Sequence, residues 1–154
     1  MMIWNRLFVA CLALFLFGCN SSSVKPEHPS EESPVSSVDT EQLLNRDWRL
    51  ISVSGKALAG KSDATVRFSD RGVVTGSGGC NKFRGGYRLT DKGIEVSELT
   101  TTRKLCFTAI MYQEQQLLRA LRRAERMVIS EQGELMLYSG ELVSPSVLAP
   151  VPSS

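Results

Sequence analysis

Large apolar and polar residues alternate along Trp48-Arg49-Leu50-Ile51-Ser52-Val53, and the run stops at Gly55, so it reads as a half-buried strand. The same alternation recurs in pairs around turn residues. Thr65–Ser69 and Val73–Thr75 flank Asp70-Arg71-Gly72, Tyr87–Thr90 and Gly93–Val96 flank Asp91-Lys92, and Met127–Ser130 and Glu134–Tyr138 flank Glu131-Gln132-Gly133. Each pair predicts a hairpin, because Asp and Gly adopt the backbone conformations of tight turns. Together they predict an antiparallel sheet. One stretch has a helical period, Thr108–Ala124, in which Ile110, Leu117, Leu121 and Ala124 form a stripe widened by Met111 and Leu118. Thr108 is its expected cap, and Arg119, Arg122 and Arg123 crowd the end where the helix dipole favours cations. A shorter helical turn is expected over Thr40–Leu44, capped by Thr40. The amphipathic stripe is expected to cover the sheet of a small α+β domain, in preference to lying on a membrane.

Ahead of this pattern lies a different one. Arg6 precedes an apolar run from Leu7 to Phe17, followed by Gly18 and Cys19. A basic start, a short apolar core and a small residue make a secretory signal peptide, and the core is too short to span a bilayer about 30 Å thick. Leu16-Phe17-Gly18-Cys19 resembles a bacterial lipobox, with Phe17 bulkier than usual. The resemblance implies cleavage between Gly18 and Cys19 and acylation of the Cys19 thiol, which would hold the protein on a membrane without a spanning helix. Asn20 stands where an aspartate would resemble an inner-membrane retention signal, so the periplasmic face of the outer membrane is the expected location.

Residues 20–39 contain seven serines, three prolines and four acidic residues against three valines, too little apolar surface to fold. They read as a tether. The end of the chain, residues 144–154, carries Pro145, Pro150 and Pro152 and no charge, and is expected to be a disordered tail. The expected organisation is therefore a leader over residues 1–18, a lipidated tether over 19–39, one domain over 40–143 and a tail over 144–154.

Charge gives little direction. Removing the leader takes only Arg6 from 18 basic and 16 acidic side chains, leaving a nearly neutral chain with no call for a polyanion such as nucleic acid. The basic residues cluster at Lys82, Arg84 and Arg88, at Arg103 and Lys104, and at Arg119, Arg122, Arg123 and Arg126. Lipid head groups or cell-wall polymer could meet them, although solvated faces are their ordinary explanation.

Of four cysteines, Cys11 leaves with the leader and Cys19 is the acylated residue, so Cys80 and Cys106 remain as an even pair in a compartment that permits disulfides. A structural bridge between them is expected and would contribute about 3.5 kcal/mol through loop closure. Two buried thiols, or a redox couple lacking Cys-x-x-Cys spacing, are the alternatives.

The run Gly76-Ser77-Gly78-Gly79-Cys80-Asn81-Lys82-Phe83-Arg84-Gly85-Gly86-Tyr87 is the most unusual in the domain. Its glycines could let backbone N–H groups cradle an anion, but it has no Gly-Lys-Ser/Thr and fails the dinucleotide pattern. The plainer reading is a bulged strand crossing pinned by Cys80, with Asn81 bonding backbone. This run, with Trp48-Arg49-Leu50, Thr102-Arg103-Lys104-Leu105-Cys106 and Glu114-Gln115-Gln116-Leu117 with Leu121, resembles the META/HslJ domain family over about residues 44–143. Lys104 and Leu105 depart mildly from the family pattern. The resemblance implies a curved antiparallel sheet, a partial barrel of about six to seven strands packed by one main helix at about 108–124. It also implies a link with heat shock, drug tolerance and envelope stress, and no established reaction. Trp48, Gly79, Asn81, Gly86, Tyr87, Thr102 and Glu114 are its motif residues, expected to be structural.

Catalytic residues are not expected. The single histidine, His28, falls in the tether, so the domain lacks a Ser-His or Cys-His couple and a histidine for zinc. Glu114 is expected to bond helix to sheet rather than act as an acid. No cofactor or metal is expected. The expected function is a non-enzymatic, lipid-anchored module, monomeric, that meets membrane lipid through Cys19 and binds an envelope protein or small ligand. An assembly or inhibitor factor is the alternative, and a carboxylate-dependent hydrolase is the reading from another class.

Overall fold

The alternating stretches pair into one antiparallel sheet of nine strands in the computed structural model, which describes residues 39–58, 63–91, 93–140 and 144–152. Gly18, Cys19 and the predicted leader and tether up to residue 38 lie outside the described residues. In chain order the elements are α1 (Thr40–Leu43), β1 (Asp47–Val53), β2 (Lys56–Ala57), β3 (Thr65–Phe68), β4 (Val73–Ser77), β5 (Lys82–Thr90), β6 (Gly93–Thr101), α2 (Thr108–Arg122), β7 (Ala124–Ile129), β8 (Leu135–Ser139) and β9 (Ser146–Pro150). The three predicted hairpins are β3/β4, β5/β6 and β7/β8. Nine strands exceed the expected six to seven because β2 and β9 carry too little alternation to be recognised.

The sheet runs β6-β5-β4-β3-β1-β9-β8-β7, with β2 attached to β1. It curls until its two edge strands meet without a ladder between them. At that seam a Cβ on Gly93 would stand 1.8 Å from the Glu125 carbonyl oxygen, so β6 approaches β7 more closely than any side-chain-bearing residue allows. The result is a nearly closed barrel with α2 packed on β1, β6 and β8. Alternation fills its interior: Trp48 and Leu50 of β1, Val66 and Phe68 of β3, Leu135 and Leu137 of β8 and Leu148 of β9 are buried, as is Val53 past the register shift in β1, with Leu117 and Leu121 of α2 against them. Among the described residues, the core lies between Leu43 and Leu148.

Three local expectations are corrected. Asp39, not Thr40, caps α1, its Oδ1 accepting from the Glu41 N–H at 3.0 Å. Phe107, not Thr108, occupies the cap of α2, with no side-chain hydrogen bond, and the helix ends at Arg122, so Ala124 begins β7. The predicted disordered tail contains a strand in mid-sheet: β9 pairs with β1 on one side and β8 on the other. Its prolines sit at Pro145 and Pro150, at the strand's ends, where a missing N–H costs no ladder bond. Between them Ser146 and Leu148 face inward, and the Ser146 hydroxyl accepts from the Ser54 N–H at 3.1 Å. Lack of charge there reflects burial.

A chain ending at Val143 therefore has β1 and β8 as unpaired edges over the core. It is expected to lose the cooperative thermal transition of the full chain when followed by circular dichroism. An unchanged melting curve would show β9 to be dispensable.

Candidate functional site

Residues 78–81 make the turn between β4 and β5, and three segments converge on it: the turn itself, the loop 102–107 after β6, and the second turn of α2. Glu114 projects from α2 into this junction and is 7% exposed. A buried carboxylate is costly unless hydrogen bonds replace its water. Here they do. Its Oε2 accepts from the Asn81 N–H at 2.5 Å and the Cys80 N–H at 3.3 Å, and its Oε1 accepts from Asn81 Nδ2 at 2.8 Å. The glycine run does cradle an anion, and the anion is the chain's own.

Close approach explains the glycines. A Cβ on Gly78 would sit 2.3 Å from Glu114 Cγ and 2.6 Å from its Oε2, so a side chain there would push the carboxylate away from its donors. Gly79 has φ +104°, in the region that side-chain-bearing residues rarely adopt, and Ile110 packs beneath it. The turn is tight rather than the bulged crossing expected from sequence. The bulge lies further on, between Arg84 and Gly86 in the β5/β6 ladder.

Asn81 extends the network. Its Oδ1 accepts from the Lys104 N–H at 2.7 Å and from the Thr102 hydroxyl at 2.8 Å. Thr102 Oγ1 in turn accepts from the Lys82 N–H at 3.2 Å, and its own N–H donates to the Lys82 carbonyl at 3.0 Å. The Cys80–Cys106 disulfide joins the same two segments, 26 residues apart in sequence. Loop 102–107 is thus fixed at both ends.

Gly79, Cys80, Asn81, Thr102, Cys106 and Glu114 come together at this junction, whereas Trp48, Gly86 and Tyr87 do not. Trp48 is fully buried in β1, its indole Nε1 donating to the Leu43 carbonyl at 3.0 Å and so tying α1 to the barrel. Gly86 follows the β5 bulge and faces Ser97 across the ladder. Tyr87 donates its hydroxyl to the Ser69 carbonyl at 2.6 Å and packs edge-on against Phe68, ring centroids 5.1 Å apart. Burial, and secondarily the charge of Asp70, raise the Tyr87 phenol above its ordinary value of 10.0.

The sequence reading did not single out the backbone of Lys104 as a partner, nor the side chains on either side of Cys106. Leu105 is 91% exposed and Phe107 84% exposed. Only Leu105 carried a signal, since it belongs to neither a strand alternation nor the α2 stripe, whereas Phe107 falls in the stripe's spacing and is exposed because the helix begins after it. Among the described residues no cluster of three or more His, Cys, Asp or Glu side chains is disposed to hold a metal ion.

Against known families, residues 41–146 match the META domain. The chain belongs to the META domain family. Comparison with curated proteins gives no match. Among solved structures, the META domain of this chain is similar to a protein from Burkholderia xenovorans determined by NMR, at 23% identity and a TM-score of 0.61 over 84% of this chain and 100% of that one. A second NMR structure matches at 22% identity and a TM-score of 0.56, covering 70% of this chain and 91% of that chain. A duf4847 family protein from Bacteroides vulgatus matches at 16% identity and a TM-score of 0.52, covering 74% of this chain and 98% of that chain. At these identities the shared property is the fold.

Two outcomes are expected. Glu114→Ala removes the acceptor of the Asn81 and Cys80 N–H groups and leaves the Asn81 amide only its longer bond to the Lys104 carbonyl, and should lower unfolding stability by about 2–4 kcal/mol in denaturant titration. Glu114→Gln keeps one acceptor and should cost less; equal stability of all three chains would contradict the clamp. For Tyr87, a raised folded-state pKa means the neutral phenol stabilises the fold fully below the unfolded value of 10.0, and this contribution is lost as pH rises through the higher folded value. Tyr87→Phe should cost about 1 kcal/mol near neutrality. It should also reduce the alkaline fall in melting temperature, and an identical alkaline profile would remove Tyr87 as its source.

Proposed function

We propose that this META domain is a non-enzymatic binding module, anchored through an acylated Cys19 to the periplasmic face of the outer membrane. One observation carries the non-enzymatic part: the Glu114 carboxylate, the acid most deeply placed in the motif, has both oxygens taken by the 78–81 turn. With three hydrogen bonds filling most of its acceptor positions and 7% exposure, the group has little access to a substrate proton. The cleft between β2 and the start of α2, about 180 Å³ and walled by Val53, Leu58, Ala109 and Tyr112, is below the ~300–1,000 Å³ of sites that enclose small molecules. An open groove of about 680 Å³ where α2 runs into β7, lined by Glu95, Arg122, Arg123 and Glu125, does have the size of a small-ligand site, so a polar small ligand stands beside a macromolecular or membrane partner.

The anchor is supported by Leu16-Phe17-Gly18-Cys19 and by the polar residues 20–39 that follow it. A role in tolerance of envelope stress is supported by the family resemblance. The exposed Leu105 and Phe107 favour a contact surface, so an assembly or inhibitor factor remains the second reading, whereas nothing in the site favours a carboxylate-dependent hydrolase.

The anchor is tested by expressing the full chain in a bacterium and measuring the intact mass of the membrane-extracted product. The expected species begins at Cys19 and carries added acyl mass, and Cys19→Ser releases the protein from the membrane fraction. A wild-type product recovered unmodified in the soluble fraction would overturn the anchored reading.

A further inference from the structure

The loop that the motif residues hold is not itself buried. Thr102 and Lys104 bond to Asn81, Cys106 is bridged to Cys80, and the Phe107 carbonyl accepts from the Ile110 and Met111 N–H groups at 3.0 and 3.1 Å. A loop fixed at so many points usually turns its apolar side chains inward. This one turns them out: Leu105 and Phe107, on either side of the bridged Cys106, are the two most exposed large apolar residues described.

Their surroundings are cationic. Arg103, Lys104, Lys82 and Arg84 are all exposed, on the loop and on the strand it is bonded to. Residues 99–113 and 73–90 contain no Asp or Glu, and Glu114, next in sequence, is turned inward to the 78–81 turn. Arg88, further along β5, is already paired with Glu95. The nearest exposed acid on β6, Glu98, stands beside the β5 bulge, roughly 13 Å from Thr102 at ~3.3 Å per strand residue. Two apolar side chains ringed by unpaired cations suit a phospholipid surface, where apolar groups enter the acyl boundary and cations meet anionic head groups.

We infer that Leu105 and Phe107 form a membrane-contact wedge, with Arg103, Lys104 and Lys82 engaging anionic phospholipid. The inference rests on the anchored reading only for what brings the loop to a bilayer. The 20 residues between Cys19 and Thr40 could span up to about 60 Å, enough for the domain to turn this loop back toward the lipid that holds it. The weak contact of the loop is then strengthened by the anchor, which keeps it at high effective concentration near the lipid. The motif network acquires a purpose beyond stability, because a rigid loop presents its wedge without losing conformational freedom on contact.

The test uses residues 19–154 with Cys19→Ser, so that no acyl chain contributes and failure of the anchor is read separately from the intact-mass measurement. Co-sedimentation is measured with vesicles of phosphatidylcholine alone and of equal parts phosphatidylcholine and phosphatidylglycerol. Binding is expected to the anionic vesicles, weakened by salt, and reduced about tenfold by Leu105→Ser with Phe107→Ser. The double variant should melt at the same temperature as its parent, since both side chains are exposed. Phe107→Trp supplies a second readout: Trp48 is buried, so a blue shift on adding anionic vesicles reports entry of position 107 into lipid. No binding to anionic vesicles would overturn the inference, as would binding that the double variant retains. Patch-dependent capture of a protein partner without vesicle binding would replace the membrane with a protein surface.

Discussion

The carboxylate of Glu114 is the constraint around which the rest of the junction is arranged. An anion removed from water must be met by donors, and this one is met by the backbone of a turn and the amide of Asn81. The demand propagates outward. The turn must present two successive N–H groups, so Gly78 must leave room for the carboxylate and Gly79 must take a positive φ. Asn81 must offer a donor to Glu114 and an acceptor to Lys104 and Thr102 at once, which an amide can do and a carboxylate cannot. A helix and two hairpin ends far apart in sequence are thereby held in one geometry, and the disulfide closes the same contact covalently.

Much of the fold could be read from the chain because its strands alternate cleanly. Trp48 and Leu50, or Leu135 and Leu137, announce a buried face at period two, and Gly72, Gly93 and Gly133 mark the turns between such runs. What escaped was set by partners rather than by local pattern. Residues 146–150 look like a proline-rich tail until β1 and β8 are seen on both sides of them. Phe107 caps α2 although Thr108 has the better side chain, because the loop ending at Cys106 fixes where the helix starts. The glycine run allowed an anion cradle, set behind the plainer bulged crossing, and gave no sign of an occupant 33 residues away from Asn81. The motif residues were legible as a family resemblance, yet their division into a junction cluster and the separate Trp48 and Tyr87 contacts depends on tertiary distances that spacing does not encode.

The chemistry of the domain is correspondingly inward. Its conspicuous polar residues, Asn81, Thr102 and Glu114, are spent on one another, and Tyr87 and Trp48 use their polar atoms on the carbonyls of Ser69 and Leu43. What faces outward near the junction is apolar and cationic.

The position of β9 has a consequence for how the molecule comes into being. β1, near the start of the domain, is completed on one side only by residues 146–150, the last described strand in chain order. Until that strand pairs, the barrel has an open gap at its middle, and its earliest strand has no second neighbour. Such long-range closure is slow, since loop entropy must be overcome before the contact stabilises anything. Closure of the sheet therefore waits on residues 146–150, and the strands before them cannot complete the barrel until that segment pairs.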